Sequence, residues 1–165
     1  MKKCLVPVLV FLLILPAALA GGAHRIGVGA NYWIAVDDID IDDIDEDGFS
    51  YLVSYQWRPT LIGLQLDLEF LPDLFGEDAF APAAYLVAGK AVYAAAGIGI
   101  NHIDGKWADD PFIALKAGLD LELLPHLFLD ISACYRFNSK YDIEDALHEI
   151  DTDTVFLGAT ARMAF

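Results

Sequence analysis

Asp43, Asp45, Asp47 and Gly48 stand at the spacing that opens an EF-hand calcium loop, inside the acid-rich run DDIDIDDIDEDG. Such a loop takes a bidentate glutamate at its twelfth position, and Ser54 occupies that position here. Ile39, Ile41 and Ile44 interrupt the acids and would let part of the segment extend a hairpin instead. The incomplete match favours a solvated acidic loop over a specific calcium site, so no metal ligand and no cofactor is assigned.

Acyl transfer or hydrolysis would need a nucleophile, a base and an orienting group close together. The four histidines do not supply that arrangement. His24 begins the first extended segment, His126 lies in a tight turn, His148 falls in the last long connection, and His102 sits near a strand end with Phe80, Pro111 and Ile113 as facing residues and no serine beside it. Ser132 and Cys134 share the polar face of another strand, again without a histidine neighbour. No catalytic residue is expected, and both side chains read as small packing groups.

These residues need elements to position them, and two-residue periodicity supplies the elements. Strands are expected near 24–36, 48–58, 61–71, 80–88, 91–103, 111–123, 127–138 and 153–165. In the second, Phe49, Tyr51, Val53, Tyr55 and Trp57 alternate with Ser50, Ser54, Gln56 and Arg58; in the third, Ile62, Leu64, Leu66, Leu68 and Phe70 alternate with Gly63, Gln65, Asp67 and Glu69. The fourth, alanine-rich and carrying Pro82, has the faintest pattern. Tight connections at Arg58-Pro59-Thr60, Gly89-Lys90 and Leu124-Pro125-His126 alternate with longer polar ones at 37–47, 72–79, 104–110 and 139–152.

Before the first strand, Lys2 and Lys3 precede an apolar run from Leu5 to Leu15, and Ala18-Leu19-Ala20 forms a small-x-small cleavage pattern. Residues 1–20 are therefore expected to be a secretory signal peptide, and 21–165 one domain. Cleavage would remove Cys4 and leave Cys134 as the one thiol, so no internal disulfide is expected. The chain is 56% hydrophobic, yet after residue 20 no run reaches the about 20 apolar residues of a membrane helix. A membrane-spanning form would have to be a closed sheet, because only closure satisfies every backbone group in lipid.

Closure leaves two choices for the apolar face, and volume selects between them. An eight-stranded barrel holds little more than its own side chains. Gly27, Gly29, Ser50, Ser54, Gly63, Gly97, Gly99, Gly118, Ser132 and Gly158 lie on the polar face, so that face is expected inside and the bulky apolar face in lipid. Tyr32, Phe49, Phe70 and Phe137 then fall near the loop end and Trp57 and Phe165 near the turn end, as interfacial girdles do. Arg25, Arg58, Lys116, Arg136 and Arg162 would face inward with Asp67, Glu69, Asp120, Glu122 and Asp130, a neutral and paired interior rather than an ion path. The other acids lie toward the long connections, eight of them from Asp37 to Asp47, where Lys106 and Lys140 are the only bases. A net charge of -15 argues against nucleic acid as a partner.

With eight alternating strands, connections of alternating length and the terminal Phe165, the chain resembles the small bacterial outer-membrane β-barrels of the OmpA, OmpX and OmpW type. The resemblance covers residues 22–165 and is architectural. It implies an eight-stranded antiparallel transmembrane β-barrel with short periplasmic turns and longer acidic extracellular loops, located in the cell outer membrane of a Gram-negative envelope. It implies a role in envelope integrity or surface interaction, with outer-membrane lipid and lipopolysaccharide as neighbours; with no catalytic set in the residues a non-enzymatic monomer is expected, and the acidic charge of the loops is expected to attract divalent cations. Barrels of similar size that modify lipid A, or that pass small hydrophobic molecules as OmpW-like barrels are proposed to, are the alternatives.

Overall fold

The computed structural model describes residues 23–36, 47–74, 77–103, 105–108, 110–141 and 150–165. The expected signal peptide, most of the acidic run from Asp37, and His148 lie outside the described residues. Ten strands follow in order: β1 (His24–Ala35), β2 (Asp47–Trp57), β3 (Ile62–Leu74), β4 (Glu77–Gly89), β5 (Val92–Gly99), β6 (His102–Ile103), β7 (Lys106–Trp107), β8 (Phe112–Leu124), β9 (Leu127–Tyr141) and β10 (Ile150–Ala164). The eight long ones form a single antiparallel sheet in which each strand pairs with its neighbours in the chain, β3 with β4 included, and the pairing of the first with the last, β1 with β10, closes it into a barrel. Closure removes both sheet edges, which is what lipid demands of a β structure.

Alternation sets the faces as expected. On β2, Phe49, Tyr51 and Val53 are exposed while Ser50, Ser54 and Gln56 are fully buried. On β3, Leu64, Leu66 and Leu68 point out, and Gln65, Asp67 and Glu69 point in. Exposed leucines beside buried carboxylates make sense only if the outside is apolar, and strands of 11 to 15 residues, which all the long ones but β5 have, are ample for a tilted crossing of about 9 to 11 residues.

The tight ends are stitched by backbone hydrogen bonds. Gly89, at φ 128°, and His126, at φ 68°, take the left-handed backbone that their turns require. Arg58 N–H donates to Ala23 O at 2.8 Å, Ala164 N–H to His126 O at 2.8 Å and Phe165 N–H to His24 O at 3.0 Å, so the last residue is tied to the first strand.

The opposite end departs from the expected connections. β3 and β4 continue to Leu74 and Glu77, which makes most of the expected loop 72–79 a hairpin extension. The fifth expected strand stops at Gly99 and resumes as the two-residue β6, which pairs with β4 and with β7 in a small hairpin. Prolines explain the break: Ile100 lies between Pro82 and Pro111, neither of which has an N–H to give. Ile100 N–H still donates to Pro82 O at 3.1 Å, and β4 keeps an unbroken register with β3 through Leu68↔Pro82.

Candidate functional site

Inside the barrel the polar side chains stack in layers along the axis. Nearest the turns, Asp120 accepts from Arg25 at 2.5 Å and also from Arg58, while Arg162 and Asp130 approach to 3.1 Å with both side chains essentially buried. One layer further, Gln56 donates to Gln65 at 3.0 Å, Gln65 donates to both oxygens of Asp67, and Lys116 donates to Asp67 at 2.8 Å. Arg25 Nη1 reaches Gln56 at 3.4 Å and joins the two layers. Above them Glu69 receives Arg136, Asn31 and Ser50 together. Charges cannot be left alone in such an interior, and here each buried acid meets a cation: Asp67, Glu69 and Asp120 across the lumen, Asp130 on the neighbouring strand.

The interior differs from expectation in two respects. Glu122 does not join the buried set; it is exposed beside the β8–β9 turn, where its carboxylate accepts from His126 N–H at 3.4 Å. Glu122 keeps the inward parity of Asp120 but stands where the strand end is exposed on both faces, past the closed part of the lumen, and Asp120 serves two arginines in its place. The inward face is also not simply the small face, because Trp33, Leu71, Tyr85, Tyr93, Phe112 and Phe156 are buried there. Glycines opposite them provide the room. Trp33 pairs in register with Gly48, Tyr85 with Gly97, Phe112 with Gly99 and Tyr93 with Gly118, and a Cβ at any of these glycines would meet the facing ring.

Aromatic rings also sandwich the cations. The Arg136 guanidinium lies 3.9 Å from the Phe156 ring centre and 4.6 Å from that of Phe112, and Arg25 lies 3.6 Å over Phe128. A void of about 10 Å³ bordered by Asp67, Glu69, Lys116, Cys134 and Arg136 has room for about one water. This packing leaves no wide channel among the described residues of that layer.

The residues considered for catalysis are dispersed. His24 shares a 2.7 Å hydrogen bond with Tyr55 and stacks near Trp57 and Phe165 at the turn-end girdle. His102 packs between Phe80 and Trp107, with ring centres 4.5 and 4.7 Å away, on the β6–β7 hairpin. Cys134 is buried 3.9 Å from the Tyr85 hydroxyl, and Ser132 lies one inward position away. At the loop end Tyr32 donates to Asp47 and Tyr135 donates to Asp153 at 2.7 Å. No group of three or more His, Cys, Asp or Glu able to hold a metal occurs among the described residues, and Asp43 and Asp45 lie outside them.

No family model matches the sequence, and no curated protein matches it significantly. Solved structures match its shape. Neisserial surface protein A (NspA) aligns with a TM-score of 0.64 at 15% identity, over 87% of this chain and 97% of that one. The N-terminal β-barrel domain of Pseudomonas aeruginosa OprF aligns at 0.53 and 15% identity, over 88% and 100%. The outer membrane protein OprG from the same organism aligns at 0.52 and 12%, over 87% and 96%. The chain thus has the fold of the small outer-membrane β-barrels.

Proposed function

We propose that the chain works in the cell outer membrane as a non-enzymatic barrel, with a charge-paired, plugged lumen and acidic loops that act at the surface in envelope integrity or surface interaction. Residues 1–20 serve in this reading as the export signal and 21–165 as the barrel. The observation that carries it is the set of buried pairs inside the barrel, Arg25 and Arg58 with Asp120, Lys116 with Asp67 and Arg136 with Glu69 across the lumen and Arg162 with Asp130 between neighbouring strands, with a void of only about 10 Å³ among Asp67, Glu69, Lys116 and Arg136. Buried ion pairs of this kind hold a packed interior together, whereas a pore needs a hydrated path. The dispersal of His24, His102, Ser132 and Cys134 supports a non-enzymatic role.

The loops supply the surface activity. Eight acids between Asp37 and Asp47 repel one another, and a divalent cation relieves that repulsion at several carboxylates together. The same cation can bridge the loop to phosphates of lipopolysaccharide. Reconstitution in planar bilayers tests the plug: little or no steady current is expected, and a stable large conductance would overturn the reading.

A further inference from the structure

The loop end of the lumen carries an apolar layer that the ion pairs do not explain. Trp33 lies two residues loopward of Asn31 on β1, Leu71 two residues loopward of Glu69 on β3, and Phe112 two residues loopward of Ala114, the register partner of Arg136. Phe156 pairs with Trp33 across β1 and β10 and with Cys134 across β10 and β9. All four side chains are at most 2% exposed. Gly48 and Gly99 leave Trp33 and Phe112 free to reach over the lumen, and Phe156, which borders the void beside Glu69 and Arg136, joins them to the ion pairs through the Arg136 guanidinium that touches both phenylalanines.

The layers below differ in carrying a polar file beside the apolar wall of Tyr85, Val87 and Tyr93. From Arg58 and Asp120 at the turn end, through Arg25, Gln56 and Gln65, to Asp67 and Lys116, polar groups follow one another without a break. Such groups exchange a protein partner for water at small net cost, because each hydrogen bond lost is replaced by another. An apolar constriction offers no exchange, so an ion entering it gives up its hydration and receives nothing, and the layer stays dry.

We propose that the permeability seal of this barrel is the cap formed by Trp33, Leu71, Phe112 and Phe156, while the ion pairs beneath it hold the walls together but do not by themselves exclude water and ions. The inference rests on the plugged-lumen reading and names the layer that does the plugging. It makes the lumen one-sided: polar and hydratable from the turns, shut at the loops.

The test compares three full-length proteins in planar bilayers: wild type, the cap variant Phe112→Ala with Phe156→Ala, and the pair variant Asp67→Asn with Lys116→Met. Heat-modifiable gel mobility verifies that each is folded. Wild type and the pair variant are expected to stay silent, and the cap variant to pass potassium chloride current at least tenfold above the wild-type background. Should the cap variant not fold, Trp33→Ala replaces it with the same expectation. Steady current through wild type would refute the plugged lumen itself. With wild type silent, a silent cap variant or a leaking pair variant would overturn the assignment of the seal to the cap.

Discussion

The ring of Phe112 occupies the space that a side chain at Gly99, its register partner on β5, would need. A larger residue at position 99 must therefore displace the ring or the strand. Gly99→Leu is expected to lower stability by about 1–3 kcal/mol, the usual cost of overpacking, and Phe112→Ala in the same chain should recover part of it. Urea unfolding midpoints in lipid vesicles measure both effects. Additive losses in the double variant would show that the two residues do not share that space.

The direction of the two faces can be tested with one charge. Leu66→Arg and Leu119→Arg place a cation on the lipid side of β3 and β8, with an expected loss of about 2–4 kcal/mol near the midplane. Ser132→Ala on the inner side should change stability by much less. Equal tolerance at the two kinds of position would reverse the topology.

Breaking a buried pair from one side should cost more than removing it whole. Arg162→Ala strands Asp130 and is expected to destabilise by about 3–5 kcal/mol, whereas Arg162→Met with Asp130→Leu should regain most of that loss. Comparison of the two unfolding curves decides the matter, and a double variant no more stable than the single one would remove the pairing argument.

For the acidic run, millimolar calcium or magnesium is expected to bind with measurable heat and to protect the segment from proteolysis. Changing Asp43, Asp45 and Asp47 to Asn should abolish both effects. Identical calorimetry and cleavage with and without the cation would leave the loop a solvated surface.

Most of the wall was legible in the sequence, because the period of two is imposed by lipid on one side and a narrow interior on the other. The runs around Ser50 to Trp57 and Ile62 to Phe70 carry that pattern openly. The inner aromatics were less visible. Phe156 sits between Thr154 and Gly158 in the polar register, yet the glycine that admits a ring lies on another strand, so Trp33 with Gly48 or Tyr85 with Gly97 emerges only once register is known. Glu122 was misplaced for a different reason: its parity is inward, but the closed lumen ends below it, and alternation does not mark where along a strand burial stops. The Gln56–Gln65 link was hidden likewise, since neither residue changes the charge count by which the interior was read.

The partners of the lumen pairs come from distant parts of the chain: Arg25 and Asp120 are 95 residues apart, and Glu69 and Arg136 are 67 apart. β1, β3 and the turn after β2 supply one side of the pairs that cross the lumen, and β8 and β9 supply the other; Arg162 and Asp130 join the neighbouring β10 and β9. A half-built sheet thus carries stranded charge, and lipid is a hostile place for it. Neutralisation and the β1–β10 seam both wait for the end of the chain, so assembly is all-or-none: the barrel has little incentive to commit to the bilayer until its late strands are present to answer the early ones.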